Sequence, residues 1–259
     1  MIMCKQTPVN IVEDQESIRD FFKAIEFNEE QHEYKVGEQV LTSVSNTIKQ
    51  YCKPFDAEKA AVFVARKEGC SPQHILDKWE QKKNKACAKG HAIHAFGENY
   101  VFNKNYPRSV IPEYYLYEQA IVNFWNDVPA HIKLATVEYQ MYSTEYGLAG
   151  TSDIILYDTV KKGYIIADYK TNEDLFKDPK SRKLLVPFNK LPDTPYSKYT
   201  LQLSYYQILF EQMGLNIIGR KIIWLLPNGQ YQMYDTPDYT NILKQELNEK
   251  QRVNTKSTI

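Results

Sequence analysis

Cysteine is scarce in this sequence and is not arranged for a disulfide framework or a zinc site. The 259-residue chain has four cysteines, none of them in a C-x-x-C pair, and they lie far apart: Cys4, Cys52, Cys70 and Cys87. This spacing favours free thiols in a reducing cytosol over disulfides or a zinc knuckle.

Long apolar runs and net charge are absent as well. No segment approaches the ~18 apolar residues that a membrane-spanning helix needs, and the first residues lack the apolar stretch of a signal peptide. Lysine plus arginine and aspartate plus glutamate number 32 each, so no global field attracts nucleic acid or a membrane. We expect a cytoplasmic protein without a membrane partner, in which any polyanion site is a local basic patch.

The residue patterns divide the chain into three parts. Residues 1–130 have mostly helical periodicity, residues 131–250 have the pattern βββ-α-ββ-α, and residues 251–259 resemble a flexible tail. The predicted fold class is therefore α+β, with a mixed central sheet flanked by helices and preceded by an N-terminal helical region. The connection 172–195 is polar and contains four prolines, and loops of that length are often functional.

Several local signals predict the ends of individual elements. Gly37 marks the turn of a hairpin, and Asp56 and Gly69 mark the two ends of a helix. Ser43 or Ser45 is suited to cap the helix before it. We expect separate helices over 71–86 and 89–102, a helix over 13–27, and a last helix over about 237–249.

Acidic side chains recur on the three β segments of the second part. Glu138, Asp153 and Asp168 lie on successive segments, and Lys170 shares a strand face with Asp168 because residues two apart point the same way. Carboxylates gathered at one edge repel each other, and a divalent cation such as Mg²⁺ relieves that repulsion. The alternatives are an ordinary surface ion pair for Asp168 and Lys170, and a turn role for Asp153.

These residues resemble the motif series of the PD-(D/E)xK nucleases, in particular their RecB-like exonuclease branch of phage and bacterial type. The G-x-x-D, D-x-K and Q-x-x-x-Y elements are matched by the segments 150–153, 168–170 and 202–206. An upstream G-x-x-x-H element is matched by Gly90 and His94. The resemblance implies a restriction-endonuclease-like core formed by residues 131–250, with the N-terminal region contributing the histidine.

The resemblance also implies a role for each matching residue. His94, Asp153, Asp168 and the backbone carbonyl of Tyr169 would hold Mg²⁺ or Mn²⁺, as one or two ions. Lys170 would orient or activate the attacking water and stabilise charge on the phosphate. Three further residues have supporting roles by the same comparison: Glu138 as a second-metal or outer ligand, and Gln202 and Tyr206 as contacts to the DNA backbone or to the strand ends.

The resemblance implies a metal-dependent deoxyribonuclease, most simply an exonuclease that acts on single-stranded or end-containing DNA. A structure-specific endonuclease or resolvase and a non-catalytic nucleic-acid-binding module remain alternatives, and RNA remains an alternative substrate. Some relatives hold an iron–sulfur cluster with cysteines after the core; this chain has none after Cys87, so we expect no cluster.

Basic residues around the motifs predict a track for the phosphate backbone. They are Lys161, Lys162, Lys177, Lys180, Arg182, Lys183, Lys190 and Lys198. Each of them alone is as easily explained as a solvated loop residue.

Overall fold

The computed structural model describes residues 18–257 except 19, 29–30, 32 and 178–180, and it describes residues 253–257 by their backbone alone. Within these residues the fold is α+β, with a mixed eight-stranded sheet. The strands are β1 (Ile25–Asn28), β2 (Glu33–Val36), β3 (Gln39–Ser43), β4 (Ile132–Ser143), β5 (Leu148–Asp158), β6 (Gly163–Lys170), β7 (Ile217–Leu225) and β8 (Tyr231–Asp235). The helices are α1 (Val44–Lys49), α2 (Ala57–Glu68), α3 (Pro72–Tyr100), α4 (Pro112–Asp127), α5 (Pro195–Phe210) and α6 (Thr240–Ser257).

The strands follow the order β1-β2-β3-β5-β6-β7-β8, and β4 pairs with the second edge of β5. The pairs β3–β5 and β6–β7 are parallel, and the other pairs are antiparallel. The first three strands come from the region predicted as mostly helical, and they extend the same sheet that residues 131–250 form.

Helices cover both faces of the sheet because the central strands alternate apolar side chains between two cores. Ile155 and Ile166 face α1, α5 and α6, whereas Ile154 and Ile165 face α3 and α4. This alternation is what a strand buried on both sides requires, since successive side chains point to opposite faces.

The sheet has a notch on one edge of β5. On this edge Leu148 and Ala149 pair with β3, and the residues from Ile154 onward pair with β6. Strand β3 ends at Ser43, where α1 begins, and β6 continues past Ala167, the last of its residues that pairs with β5. Within the described chain, residues 150–153 form no strand pair on this edge, and the gap between β3 and β6 is therefore open.

Most predicted element ends are confirmed. Gly37 has φ +58° in the β2–β3 turn, and Ser43 caps α1 by accepting a hydrogen bond from the Asn46 N–H. Asp56 accepts a hydrogen bond from the Lys59 N–H at the start of α2, and Gly69 ends that helix in the left-handed conformation. Local side-chain chemistry therefore determines these boundaries.

Three other local predictions are wrong. The two helices expected over 71–86 and 89–102 are the single helix α3, and the final helix extends beyond residue 249 to Ser257, through most of the predicted tail 251–259. Residues 25–27, expected at the end of a helix, belong with Asn28 to β1, because residues 25–28 pair with β2. Much of that predicted helix lies outside the described residues, as do Cys4 and residues 258–259.

The connection between β6 and α5 is packed against the protein body. Leu175, Leu184 and Phe188 are buried, and the Leu185 N–H donates a hydrogen bond to the Tyr51 carbonyl at 2.7 Å. This segment therefore forms a wall beside the notch. Its residues 178–180, which repeat the D-x-K pattern and include Lys180, lie outside the described residues.

Candidate metal centre

Three potential ligands from three different elements converge at the notch. His94 of α3, Glu138 of β4 and Asp153 of β5 each offer one ligand atom, and these atoms all lie within 4.8 Å of one another. His94 and Asp153 line a cavity of about 180 Å³, which is also lined by Asp168 and Lys170.

Asp153 is at the centre of this cluster and is held on two sides. Its Oδ2 accepts a hydrogen bond of 2.7 Å from the Tyr169 N–H, and its Oδ1 lies 3.2 Å from Nδ1 of His94. The residue is only 8% exposed. Because β5 and β6 no longer pair beyond Ile154 and Ala167, the Asp153 side chain satisfies the Tyr169 N–H instead.

Glu138 reaches the cluster through an unusual backbone conformation in the middle of β4. Its φ is +44°, a value that residues other than glycine rarely adopt. Its neighbours Val137 and Tyr139 pack on opposite faces of the sheet, although residues two apart on a strand normally share a face. The left-handed residue therefore reverses the alternation at Glu138, and strain of this kind is often found at functional sites.

Asp168 and Lys170 form a buried ion pair beside the cluster. The Lys170 Nζ donates to both carboxylate oxygens of Asp168, at 2.8 Å and 2.6 Å. The Lys170 Nζ also lies 4.3 Å from the centre of the Tyr199 ring. As expected for residues two apart on a strand, both side chains reach one place, but Asp168 is not a member of the three-ligand cluster.

The electrostatics show that the carboxyl groups are crowded. Burial, together with the charge of Asp153, raises the pKa of Glu138 to about 8. Burial and the same charge raise the pKa of Asp168 to about 7, even though Lys170 opposes the change. These carboxyl groups therefore resist ionisation when no cation is present.

The pKa values of His94 and Asp153 shift so that both groups are charged, because the two form an ion pair. Burial disfavours the charged imidazole, but the charge and hydrogen bond of Asp153 outweigh it and raise the pKa of His94 to about 9. Burial likewise opposes ionisation of Asp153, yet His94 holds its pKa at about 2. Burial also acts against the charge of Lys170, but Asp168 raises the Lys170 pKa above its usual range, so the amine is a cation.

The donor set fits a divalent cation. Two carboxylates and an imidazole at mutual distances below 5 Å match the ligands that Mn²⁺ accepts, and Mg²⁺ shares the preference for the carboxylate oxygens. A cation would also remove the repulsion that raises the carboxyl pKa values. Glu138 is thus part of the closest ligand set, whereas the Tyr169 carbonyl as a ligand stays a prediction.

Gln202 and Tyr206 line the cavity from the opposite face of the sheet. The Gln202 Nε2 donates a hydrogen bond of 2.7 Å to the Tyr206 hydroxyl, and Tyr206 is buried. A Cβ on Gly150 would lie 2.6 Å from Cε1 of Tyr206, so this glycine lets the ring pack against the β5 backbone. The two residues therefore support β5 at the notch.

On helix α3, the motif histidine is in the site but the motif glycine has no packing role. A Cβ on Gly90 would meet nothing within 4 Å, whereas a Cβ on Gly97 would lie 2.8 Å from the Tyr169 ring. That ring is held by a 2.8 Å hydrogen bond from the Trp125 Nε1 to its hydroxyl. Gly97 is therefore the glycine that lets α3 approach β6. His91 and Glu98, two other titratable residues near His94 on this helix, are exposed.

Two grooves lie near the cavity, and the first of them shares lining residues with it. One, the Phe55 groove, has a volume of about 470 Å³ and is lined by Lys49, Lys53, Phe55, Arg182 and Lys198, together with Ser45 and Gln202 of the metal cavity. The other, the Lys82 groove, has a volume of about 540 Å³ and is lined by Lys82, Lys89, Lys177 and Lys198. Tyr199 lines both grooves. The Phe55 groove is thus cationic, whereas the four lysines of the Lys82 groove are accompanied by three carboxylates, those of Glu173, Asp174 and Asp193.

Only some of the basic residues assigned to the predicted track lie near the site. Lys177, Arg182 and Lys198 line the grooves, and Lys183 and Lys190 are exposed on the same connection. Lys161 and Lys162 are instead in the β5–β6 turn, at the opposite end of β6 from Asp168. At ~3.3 Å per residue along the strand, the distance from this turn to Asp168 is ~20 Å. The turn of a hairpin is necessarily one strand length away from the open end of that hairpin.

Sequence reasoning missed two tyrosines at the site. Tyr199 contacts Lys170, and the Tyr34 hydroxyl is 3.0 Å from the Thr151 Oγ1 at the mouth of the cavity. Tyr199 lies three residues before Gln202 on α5, so the helical period could have placed it on the same face. Tyr34 lies on a distant hairpin and has no such signal.

No protein-family model matches this chain, and neither does any curated protein. Among solved structures, one named "Crystal structure of SSO0001" is 15% identical and aligns over 82% of this chain and 75% of that chain, with a TM-score of 0.32. A similarity of that size carries no argument about function. In the described residues, no helix is both long and apolar enough to cross a membrane.

Proposed function

We propose that this protein is a divalent-metal-dependent nuclease that hydrolyses phosphodiester bonds of DNA. The observation that carries the proposal is the convergence of His94, Glu138 and Asp153 within 4.8 Å, beside the buried pair of Lys170 and Asp168. On this proposal the mixed sheet and its flanking helices are a restriction-endonuclease-like core, as the motif resemblance implies.

The residues of the site suit the hydrolysis of a phosphodiester. A divalent cation at the cluster would supply positive charge beside the scissile phosphate and make a neighbouring water more acidic. Lys170 is a cation at the same place and can donate hydrogen bonds to a phosphate oxygen as negative charge develops. Water oxygen forms the new bond to phosphorus, the bond to the leaving oxygen breaks, and that oxygen gains a proton.

We propose an exonuclease because two segments of the protein approach each other near the site. Helix α3 and the start of the connection after β6 line the Lys82 groove together, and the Lys82 Nζ lies 3.4 Å from the Glu173 carboxylate. Walls that approach each other in this way favour a strand with a free end over a continuous duplex.

The test is a nuclease panel with linear single-stranded, linear double-stranded and closed circular DNA, in Mg²⁺, Mn²⁺ or a chelator. We expect ion-dependent hydrolysis of the linear substrates, which Lys170→Met lowers about 100- to 1,000-fold. The matched control is Lys161→Met, an exposed lysine at the other end of the β5–β6 hairpin, with unchanged activity.

Three results would count against the proposal. Absence of hydrolysis with either ion would contradict the nuclease function, and equal rates for Lys170→Met and Lys161→Met would contradict the role of Lys170. Equal digestion of circular and linear DNA would contradict the exonuclease assignment.

A further inference from the structure

The Phe55 groove has an aromatic side chain where solvent reaches it. Phe55 is 64% exposed and follows Pro54 in the short connection between α1 and α2. Its ring lies 6.0 Å from that of Trp79, at a tilt of 53°, so one ring face is not stacked on this neighbour. Scattered exposed apolar residues are ordinary, but this one lines a groove that opens towards the metal cavity.

The same groove is strongly cationic. It is lined by four positively charged side chains and by one carboxylate, that of Asp193, which gives the lining a net charge of +3. Asp193 is buried and lies 2.7 Å from the Lys198 Nζ and 3.5 Å from the Arg182 Nη2. The carboxylate thereby holds two of the cations in the groove wall.

The groove and the metal cavity are adjacent. Ser45 and Gln202 line both of them, and the Gln202 amide donates to Tyr206 inside the cavity. A polyanion lying in the groove would therefore lie beside the metal cavity.

We infer that the Phe55 groove binds single-stranded nucleic acid, with Phe55 stacked on an unpaired base and the surrounding cations in contact with the phosphates. The inference rests on the proposed function, since it names the strand form that the same site receives. An aromatic ring in a cationic groove is the arrangement with which proteins hold single strands without reading their sequence. A duplex hides its base faces inside its own stack, so Phe55 would have no partner there.

The aromatic part of the inference is tested by binding in a chelator, where hydrolysis is not possible. The probes are fluorescein-labelled oligothymidylate, oligouridylate and a blunt DNA duplex, followed by fluorescence anisotropy. We expect Phe55→Ala to weaken binding of single strands about tenfold and to leave duplex binding unchanged. Phe55→Tyr keeps the ring and is expected to bind as the wild type does.

The matched control is Phe63→Ala. Phe63 is 61% exposed on α2 and does not line the groove, so its removal tests the general effect of losing a surface aromatic ring. Both phenylalanines are exposed, and melting temperatures of the variants are expected to equal that of the wild type.

The cationic part is tested by the salt dependence of binding. Lys53→Gln is expected to reduce the slope of log K against log salt concentration by about 1, the value for one lost phosphate contact. Lys161→Gln is expected to leave the slope unchanged. A loss of slope with Phe55→Ala would not fit, because stacking on a base displaces no counterion.

The outcomes separate this inference from the nuclease proposal. Equal losses for Phe55→Ala and Phe63→Ala, or equal losses on single strands and duplex, would overturn the inference even if the protein is a nuclease. Phe55-dependent binding without hydrolysis under any ion would support the inference and overturn the nuclease proposal. If Phe55 is needed for binding both the DNA and the RNA oligomer, its ring stacks on the bases of either nucleic acid. If only one of the two binds, that one is the substrate class.

Discussion

The two ends of the β5–β6 hairpin each contain a buried aspartate, and the two aspartates have opposite surroundings. At the turn, Asp158 accepts hydrogen bonds of 2.9 Å from the N–H groups of Val160 and Lys161, and these local bonds lower its pKa. At the notch, Asp153 accepts one backbone hydrogen bond and shares its surroundings with His94 and two more carboxyl groups.

The difference separates an aspartate that serves the fold from one that is suited to chemistry. Asp158 is satisfied by its own turn and needs nothing further. The notch gathers carboxyl groups whose pKa values are raised to about 7 and about 8, an arrangement that costs stability unless a cation is bound. A buried aspartate is thus a functional candidate because of its titrating neighbours and not because of its burial.

The largest expected effect comes from making the same substitution, aspartate to asparagine, at each end of the β5–β6 hairpin. Asp153→Asn is expected to lower nuclease activity at least about 100-fold, because it removes a ligand charge from the centre of the cluster. Asp158→Asn keeps an oxygen acceptor for the turn and is expected to retain activity. Comparable losses in the two variants, measured with linear DNA and Mn²⁺, would erase the distinction.

A second test uses metal binding and pH. Between about pH 4 and pH 8 the metal-free fold keeps protons on Glu138 and Asp168 that the unfolded chain has lost, so its stability falls as the pH rises through that range. Mn²⁺ replaces those protons, and we expect it to raise Tm more near pH 8 than near pH 6. At about 100 times its Kd the ion adds about 2.7 kcal/mol to stability.

The control for the metal test is Asp153→Asn, in which the Mn²⁺ shift in Tm is expected to disappear at both pH values. A shift of the same size in wild type and variant, measured by differential scanning fluorimetry, would mean that the ion binds elsewhere.

A third test concerns the helix that brings His94 to the notch. Gly97→Ala would force a methyl group to within 2.8 Å of the Tyr169 ring, and such overpacking costs about 1–3 kcal/mol. Gly90→Ala meets no atom within 4 Å, and removing a helical glycine stabilises by about 0.4–1 kcal/mol. Urea unfolding measures both, and the reverse order of stabilities would refute the packing of α3 described above.

The smallest expected effect on stability comes from two residues with a strained backbone, one in the metal cluster and one in the β5–β6 turn. Glu138 and Lys162 have φ values of +44° and +52°, and glycine at either position is expected to stabilise the fold by up to about 1 kcal/mol. Glu138→Gly also removes a ligand and is expected to lose activity, whereas Lys162→Gly is expected to keep it. Full activity in Glu138→Gly would exclude Glu138 from the metal centre.

Much of the fold followed from local patterns in the sequence. β-rich runs separated by turn residues predicted β5 and β6, and the D-x-K spacing predicted that Asp168 and Lys170 meet on one face. Side-chain caps at Asp56 and Ser43 predicted helix starts, because the same few residues hold both the signal and the hydrogen bond.

Other features depend on contacts between distant parts of the chain. A left-handed glutamate in the middle of a strand has no sequence signal, so the close position of Glu138 in the cluster could not be read from β4 alone. The choice between Gly90 and Gly97 depends on where the Tyr169 ring lies. The far position of Lys161 and Lys162 could have been predicted, since the turn of a hairpin is distant from its open end.

The most direct test of the central claim is a crystal structure of the protein with Mn²⁺, measured for anomalous scattering from the ion. We predict an anomalous peak in coordination contact with His94, Glu138 and Asp153, and its loss in Asp153→Asn. A map with no peak at the notch, or with manganese bound only to exposed carboxylates elsewhere, would contradict the metal centre on which the proposed nuclease function depends.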